Sequence, residues 1–120
     1  MIEAGSRKRH QAPPPHILFE ALTEPDRDPA RPWLQLLDDE HPPRILQTDA
    51  PGLVVWSSLW TKRPDAIVRF DLPASVNRLG TDLRWTLLVD EPMPDAPLLG
   101  HLRKRMNRLI NENLRLTFGQ

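Results

Sequence analysis

A chain of 120 residues can build one hydrophobic core and has little length left for a second, so one domain is expected over residues 1–120. The chain has 16 basic residues (lysine and arginine) and 16 acidic residues (aspartate and glutamate), so its net charge is zero. A general nucleic-acid binder is usually strongly basic, and this balance argues against that function. Cysteine is absent, which excludes disulfides, thiolate catalysis and cysteine-ligated zinc.

The N-terminal segment Met1–Gln11 is charged and has no apolar centre, so it lacks the pattern of a signal peptide. No stretch of the chain reaches the roughly 20 apolar residues that cross a bilayer. We therefore expect a cytoplasmic protein without stable membrane insertion. Within this segment, the loose alternation over Ile2–His10 predicts a weak strand at a sheet edge.

Two short helices are predicted next. Pro13–Pro15 stop the first strand, and proline is tolerated in a first helical turn, so His16–Leu22 is predicted to be helical and to end before Pro25. Trp33–Leu37 is predicted to form a second helical turn or two. The acidic run Asp38–Glu40 lacks the ligand spacing of a calcium loop and is interpreted as a solvated loop.

The middle of the chain predicts an antiparallel meander. Arg44–Thr48 and Leu53–Trp60 are the first two candidate strands, and the second is apolar on both faces, as in a central strand. Residues 66–72 and 81–90 alternate with a period of two, which is typical of strands buried on one face. The side chains expected to face the core are Val68, Phe70 and Trp85, and those expected to face solvent are Arg69, Asp71 and Arg84.

From Leu98 to about Thr117 the sequence predicts one amphipathic helix, because its apolar residues share one side of a wheel drawn at about 100° per residue. The basic residues Arg103–Arg105 and Arg108 are interpreted as a solvated outer face rather than a site for anionic lipid or an acidic partner. Asn113 projects from the middle of the apolar stripe. A buried amide without a partner costs about 1–3 kcal/mol, so a structural hydrogen bond and a ligand contact are both open.

No catalytic motif is complete in the sequence. The histidines His10, His16, His41 and His101 have no metal-ligand spacing, and ordinary surface roles are favoured for them. The serines sit in no Gly-x-Ser-x-Gly elbow, and the glycines are scattered rather than gathered in a phosphate loop. We therefore expect no metal and no cofactor. The four tryptophans are expected to pack in the core, with pocket lining as the alternative.

The motifs that carry a family resemblance are Ala12-Pro13-Pro14, Phe19-Glu20-Ala21-Leu22-Thr23, Trp33, Gly80-Thr81-Asp82-Leu83-Arg84-Trp85 and Leu114-Arg115-Leu116-Thr117-Phe118-Gly119. In this order, along nearly the whole chain, they resemble the helix-grip superfamily often abbreviated SRPBCC. It includes START lipid-transfer domains, the birch-pollen allergen and aromatic polyketide cyclases. The resemblance implies an α+β helix-grip fold, here with about five antiparallel strands wrapped on a long C-terminal helix and two short helices near the N-terminus.

In that family an apolar cavity between sheet and helix binds lipids, sterols or polyketides, and a subset are cyclases or dehydratases. The resemblance thus implies non-catalytic binding of a small apolar molecule of the lipid, isoprenoid or polyketide type. The side chains expected to line the cavity are Trp56, Val68, Phe70, Trp85, Leu87, Leu102, Met106, Leu109 and Asn113. Two alternatives stay open: a cyclase- or dehydratase-like enzyme in which Asn113 and a histidine orient the substrate, and a protein-interaction module whose reduced cavity is filled by a partner or completed by a second subunit in a homodimer.

Overall fold

A computed structural model describes residues 1–118; Gly119, which ends the last resemblance motif, and Gln120 lie outside the described residues. The elements in chain order are β1 (Ile2–Gln11), α1 (Pro15–Thr23), β2 (Ile45–Asp49), β3 (Leu53–Ser57), β4 (Ile67–Asp71), β5 (Thr81–Val89), α2 (Ala96–Asn107), a π-helical segment (Arg108–Leu114) and α3 (Arg115–Thr117). The last three run without interruption over residues 96–117 and are together called the terminal helix. No helix within residues 1–118 is long and apolar enough to cross a membrane.

The five strands form one antiparallel sheet in the order β1-β5-β4-β3-β2. The predicted edge position of the first strand is confirmed, and β2 forms the opposite edge. The strands β2 to β5 are joined by short connections, so consecutive strands pair with one another as a meander. With the long terminal helix, this gives the α+β helix-grip arrangement that the sequence predicts.

The core lies between the sheet and the terminal helix. The period-two patterns of β4 and β5 are confirmed: Val68, Phe70 and Trp85 are buried, whereas Arg69 and Arg84 on the opposite face are exposed. All four tryptophans are buried, as expected for the core. Since a shift of one residue would turn every side chain of a strand to the other face, this alternation fixes the register of the sheet against the helix.

The prediction of a second short helix over Trp33–Leu37 is wrong, because that segment is irregular and contains no helical turn. Its backbone and side chains bond to distant residues instead of to the next helical turn. The Trp33 indole donates to the Ala21 carbonyl over 3.1 Å, and the Gln35 carbonyl accepts from Arg105 over 3.1 Å. These tertiary partners outweigh a weak local helix propensity.

The terminal helix departs from the predicted wheel at the π-helical segment. A π turn holds more residues than an α turn, so beyond Arg108 the buried face advances by about one residue. Asn113, predicted to be central in the apolar stripe, is only half-buried, and Leu116 is exposed. The neighbouring positions Asn111 and Leu114 are buried instead. The predicted placement of Asn113 is therefore wrong, and Asn111 is the buried amide.

Candidate functional site

The residues predicted to line a ligand cavity lie mainly in the packed core. Eight of the nine, all except Asn113, are at most 1% exposed and belong to one continuous apolar cluster. Trp56 packs edge-on against Phe70 with ring centroids 4.7 Å apart. Clefts at the surface of residues 1–118 include five of about 250–580 Å³, and none of these five is lined by more than one of the nine residues. Their contact with a ligand stays a prediction.

One of these clefts, of about 580 Å³, opens beside the first half of the terminal helix; we call it the helix cleft. It is lined by Asp39, Trp60, Thr61, Lys62, Asp95, Pro97, Leu98, His101 and Leu102. Leu102 is the member of the predicted set found here. Leu98 and Leu102 are one helical turn apart and therefore present neighbouring side chains to the cleft. Its volume lies within the range of about 300–1,000 Å³ that is usual for small-molecule sites.

The wall of the helix cleft is held by a buried ion pair. The Glu40 carboxylate accepts two hydrogen bonds from the Arg105 guanidinium: Nη2 donates to Oε1 at 2.7 Å, and Nε donates to Oε2 at 3.0 Å. The second carboxylate oxygen also accepts from the Trp60 indole N–H at 2.7 Å, and the first accepts from the Leu37 backbone N–H at 2.9 Å. The pair thus ties the loop before β2, the terminal helix and a cleft-lining tryptophan into one unit.

This arrangement corrects two predictions. Glu40 was expected in a solvated loop, but its side chain is fully buried; Arg105 was expected on a solvated helix face, but it is buried beside Glu40. A buried charge is tolerated only when it is paired and hydrogen-bonded. Glu40 and Arg105 each supply the opposite charge and the hydrogen bonds that the other requires. The neighbours Asp38 and Asp39 remain exposed, as predicted.

The protonation of Glu40 follows from the same contacts. Burial alone would raise the pKa of the Glu40 carboxyl, but the hydrogen bonds from Arg105, the Leu37 N–H and the Trp60 indole outweigh it and hold that pKa below its ordinary value. The carboxylate therefore stays ionised and is committed to Arg105. It is a structural anchor and is not free to act as an acid or base.

The rim of the helix cleft carries charges of both signs. Lys62 and His101 stand with Asp39 and Asp95 around the apolar floor. Asp95 also caps the terminal helix, since its carboxylate accepts from the Leu98 N–H at 3.1 Å. Within residues 1–118 no group of three or more histidine, aspartate or glutamate side chains could hold a metal ion.

The enzyme alternative pairs Asn113 with an unspecified histidine, and this pairing stays a prediction, although His101 does not meet that need. His101 lies at the helix cleft, whereas Asn113 is twelve residues further along the same helix, a distance of roughly 18 Å at 1.5 Å per residue. His10 is engaged elsewhere, within 3.0 Å of Ser75 and 3.2 Å of Asp82. The hydrogen bonds from Ser75 and His10 hold the pKa of Asp82 below its ordinary value.

The buried amide Asn111 has structural partners. Its side-chain nitrogen donates to Asn107 Oδ1 at 3.2 Å, and its oxygen accepts from Gln11 at 3.4 Å. Asn107 Oδ1 also accepts from the Trp85 indole N–H at 3.2 Å. A chain of neutral hydrogen bonds thus joins β1 and β5 to the terminal helix, and it supplies the partners that a buried amide needs.

Solved structures that share this fold are distant in sequence. The Aha1 dimer from Colwellia psychrerythraea is 14% identical with a TM-score of 0.68, over 96% of this chain and 94% of that one. MLL2253 from Mesorhizobium loti is 17% identical with a TM-score of 0.66, over 97% of both chains. CalU16 from Micromonospora echinospora is 20% identical with a TM-score of 0.62, over 92% of this chain and 76% of that one.

The amino-acid sequence matches no protein-family model and no curated protein. The identities to the solved structures are all low, so these likenesses show the fold alone. They agree with the five-stranded sheet and the 22-residue terminal helix. The chain therefore has an α+β helix-grip fold, as the resemblance implies.

Proposed function

We propose that this chain binds a small apolar molecule with one polar end in the helix cleft, without catalysis. The observation that carries the proposal is the cleft itself: an apolar floor that includes Trp60 and Leu102, enclosed by a rim of polar and charged side chains. This composition is usual for small-molecule sites, in which apolar contacts supply affinity and a few polar groups fix orientation. Lipids, isoprenoids and aromatic polyketides are the candidate classes.

The rigidity of the wall favours binding. The Trp60 indole is held by a buried carboxylate that is itself held by Arg105, so the ring does not have to be ordered when a ligand arrives. A preformed site binds more tightly because less side-chain freedom is lost on binding. Leu98 is half-buried and offers the apolar surface that a ligand would cover. Burial of such surface is worth about 25 cal/mol per Å².

The test uses the indole N–H signal of Trp60 in a protein labelled with nitrogen-15. Decanoic acid, farnesol and 1,8-dihydroxyanthraquinone are titrated separately, one for each candidate class. We expect one of them to shift this signal saturably below about 100 μM. Leu98→Gln should weaken that binding about tenfold, or about 1.4 kcal/mol, because it places a polar group on the floor.

Leu116→Gln is the matched control. It makes the same change in the same helix at an exposed site outside the cleft, and it should bind like the unaltered protein. If no compound moves the Trp60 signal, or if both variants lose binding equally, the proposal fails.

A second candidate function, pairing with another copy of this chain, is favoured by the edge strand β2. All five of its residues are exposed, including the apolar Ile45 and Leu46, and the strand closes the sheet on one side. Native proteins usually protect such an edge with lysine or proline, and β2 contains neither. An antiparallel pair of β2 strands centred between Leu46 and Gln47 would set Arg44 of each copy opposite Asp49 of the other. The Colwellia structure is that of an Aha1 dimer, which gives independent support.

Light scattering after size-exclusion chromatography tests this second candidate. We expect a dimer whose population falls in Asp49→Arg and recovers in the double variant Arg44→Asp with Asp49→Arg, since the exchange restores both ion pairs. A monomer at all concentrations up to about 1 mM, or a double variant no better than the single one, would rule out this mode of pairing.

A further inference from the structure

A second cleft, of about 360 Å³, lies on the other flank of the terminal helix, between that helix and the edge strand β1; we call it the β1 groove. It is lined by Glu3, Ala4, Gly5, Ser6, Arg7, Trp85, Arg103 and Asn107. The groove shares no lining residue with the helix cleft. An occupant of one would therefore leave the other open.

Arg103 lies flat across β1 because residue 5 is glycine. A Cβ atom at Gly5 would stand 2.9 Å from Arg103 Cγ, closer than real Cβ atoms approach another carbon. The sheet also has a bulge between Glu3 and Gly5, which opens the strand at this point. In this position Arg103 Nε donates to the Ala4 carbonyl at 2.7 Å. The side chain is thus fixed, while its two terminal nitrogens make no hydrogen bond or ion pair within residues 1–118.

Two other polar side chains of the groove, Arg7 and Asn107, also have N–H groups without acceptors within residues 1–118. Arg7 pairs with Trp85 in the strand register, which places it on the same face of β1 as the groove, and it has no ion-pair partner among the described residues. Asn107 Oδ1 is already occupied by the Trp85 indole and by Asn111. Its side-chain N–H groups make no hydrogen bond within residues 1–118.

The groove therefore gathers two guanidinium groups and an amide donor against a single carboxylate, that of Glu3. Guanidinium groups match the geometry of a carboxylate or a phosphate, which can accept two parallel hydrogen bonds. We propose that the β1 groove binds an anionic group, a carboxylate or a phosphate, through Arg7, Arg103 and Asn107. The indole of Trp85 fixes the orientation of Asn107 at the edge of that site.

The test follows the Trp85 indole N–H signal, which is assigned by its loss in Trp85→Phe. Potassium phosphate and sodium butyrate are titrated separately at pH 7, with sodium chloride holding the ionic strength constant. We expect a saturable shift of the Trp85 signal, and a response to phosphate alone, to butyrate alone or to both identifies the accepted anion. Arg7→Gln should weaken this binding about tenfold, since it removes a charged donor.

Two further variants make the outcome decisive. Arg69→Gln removes an exposed arginine that pairs with Asp71 on the outer face of β4, two strands away from β1, and it should leave binding unchanged. Glu3→Gln should tighten binding about twofold to threefold, because it removes the opposing charge. A Trp85 signal that does not saturate, or equal binding in Arg7→Gln and the unaltered protein, would overturn the proposal.

Discussion

The two flanks of the terminal helix use arginine in opposite ways. Arg103 and Arg105 are two residues apart and therefore point about 160° away from each other around the helix. On the flank of the helix cleft, Arg105 is buried and neutralised by Glu40. On the flank of the β1 groove, Arg103 is held by a backbone carbonyl and keeps its terminal donors available. The role of each arginine in this basic run thus depends on which residues of the sheet and loops it contacts.

The largest effect is expected from Arg105→Met. It leaves the Glu40 carboxylate buried without its counter-charge, and breaking one side of a buried pair costs about 3–5 kcal/mol of unfolding free energy. Urea denaturation measures this loss. The double variant with Glu40→Gln should recover part of it, because no charge is then left buried. A loss under about 1 kcal/mol in the single variant would mean that the pair does not hold the cleft wall.

The same ion pair makes stability depend on pH. The pKa of Glu40 is lower in the folded protein than its ordinary value near 4.3, so the folded state favours the ionised form. This contribution is fully present above that ordinary value and is lost as the pH falls through the folded pKa. Unfolding free energies measured between pH 6 and pH 2 should therefore fall less steeply in Glu40→Gln than in the unaltered protein. Identical slopes would contradict the assignment.

An intermediate effect is expected on the β1 flank. Asn111→Leu removes the partner of Gln11, whose other side-chain atom, Oε1, already has no partner within residues 1–118. Leaving a buried amide unpaired costs about 1–3 kcal/mol of unfolding free energy. Asn113→Leu is the matched control on the same segment and should stay within about 0.5 kcal/mol. Equal losses in thermal or urea unfolding would show that the π-helical segment does not set the buried face.

The smallest effect is expected from Arg108→Ala. Arg108 pairs with Glu112 across one turn, at 3.2 Å, and both side chains are more than half exposed. Exposed pairs of this kind contribute about 0.3–0.5 kcal/mol at most, because solvent screens them. Urea denaturation should place this variant within that range of the unaltered protein. A loss above about 1 kcal/mol would show that this part of the basic run also has a buried role.

Much of the fold could be predicted from local patterns. The alternation in β4 and β5 places Phe70 and Trp85 on the core side because side chains of a strand alternate between two faces. The limits of the terminal helix also follow from its proline-rich start and its apolar stripe. The order of these elements carries the helix-grip resemblance, because each element needs the next to bury its apolar face.

The sites could not be predicted in the same way. Glu40 and Arg105 are 65 residues apart, and nothing in the sequence separates Glu40 from the exposed Asp38 and Asp39 beside it. The π-helical segment depends on how the helix packs, so a wheel with constant spacing selects Asn113 in place of Asn111. One signal was present: Gly5 in an otherwise alternating strand indicates a close approach, which here is that of Arg103.

Intermolecular nuclear Overhauser effects test most directly whether a small apolar molecule binds in the helix cleft. The compound that shifts the Trp60 signal is added at saturation to protein labelled with carbon-13 in its leucine and valine methyl groups. We predict contacts from the compound to the methyl groups of Leu98 and Leu102. Contacts to Leu87 and Val68, which lie in the packed core between sheet and helix, would contradict the account and place the ligand in an interior cavity instead.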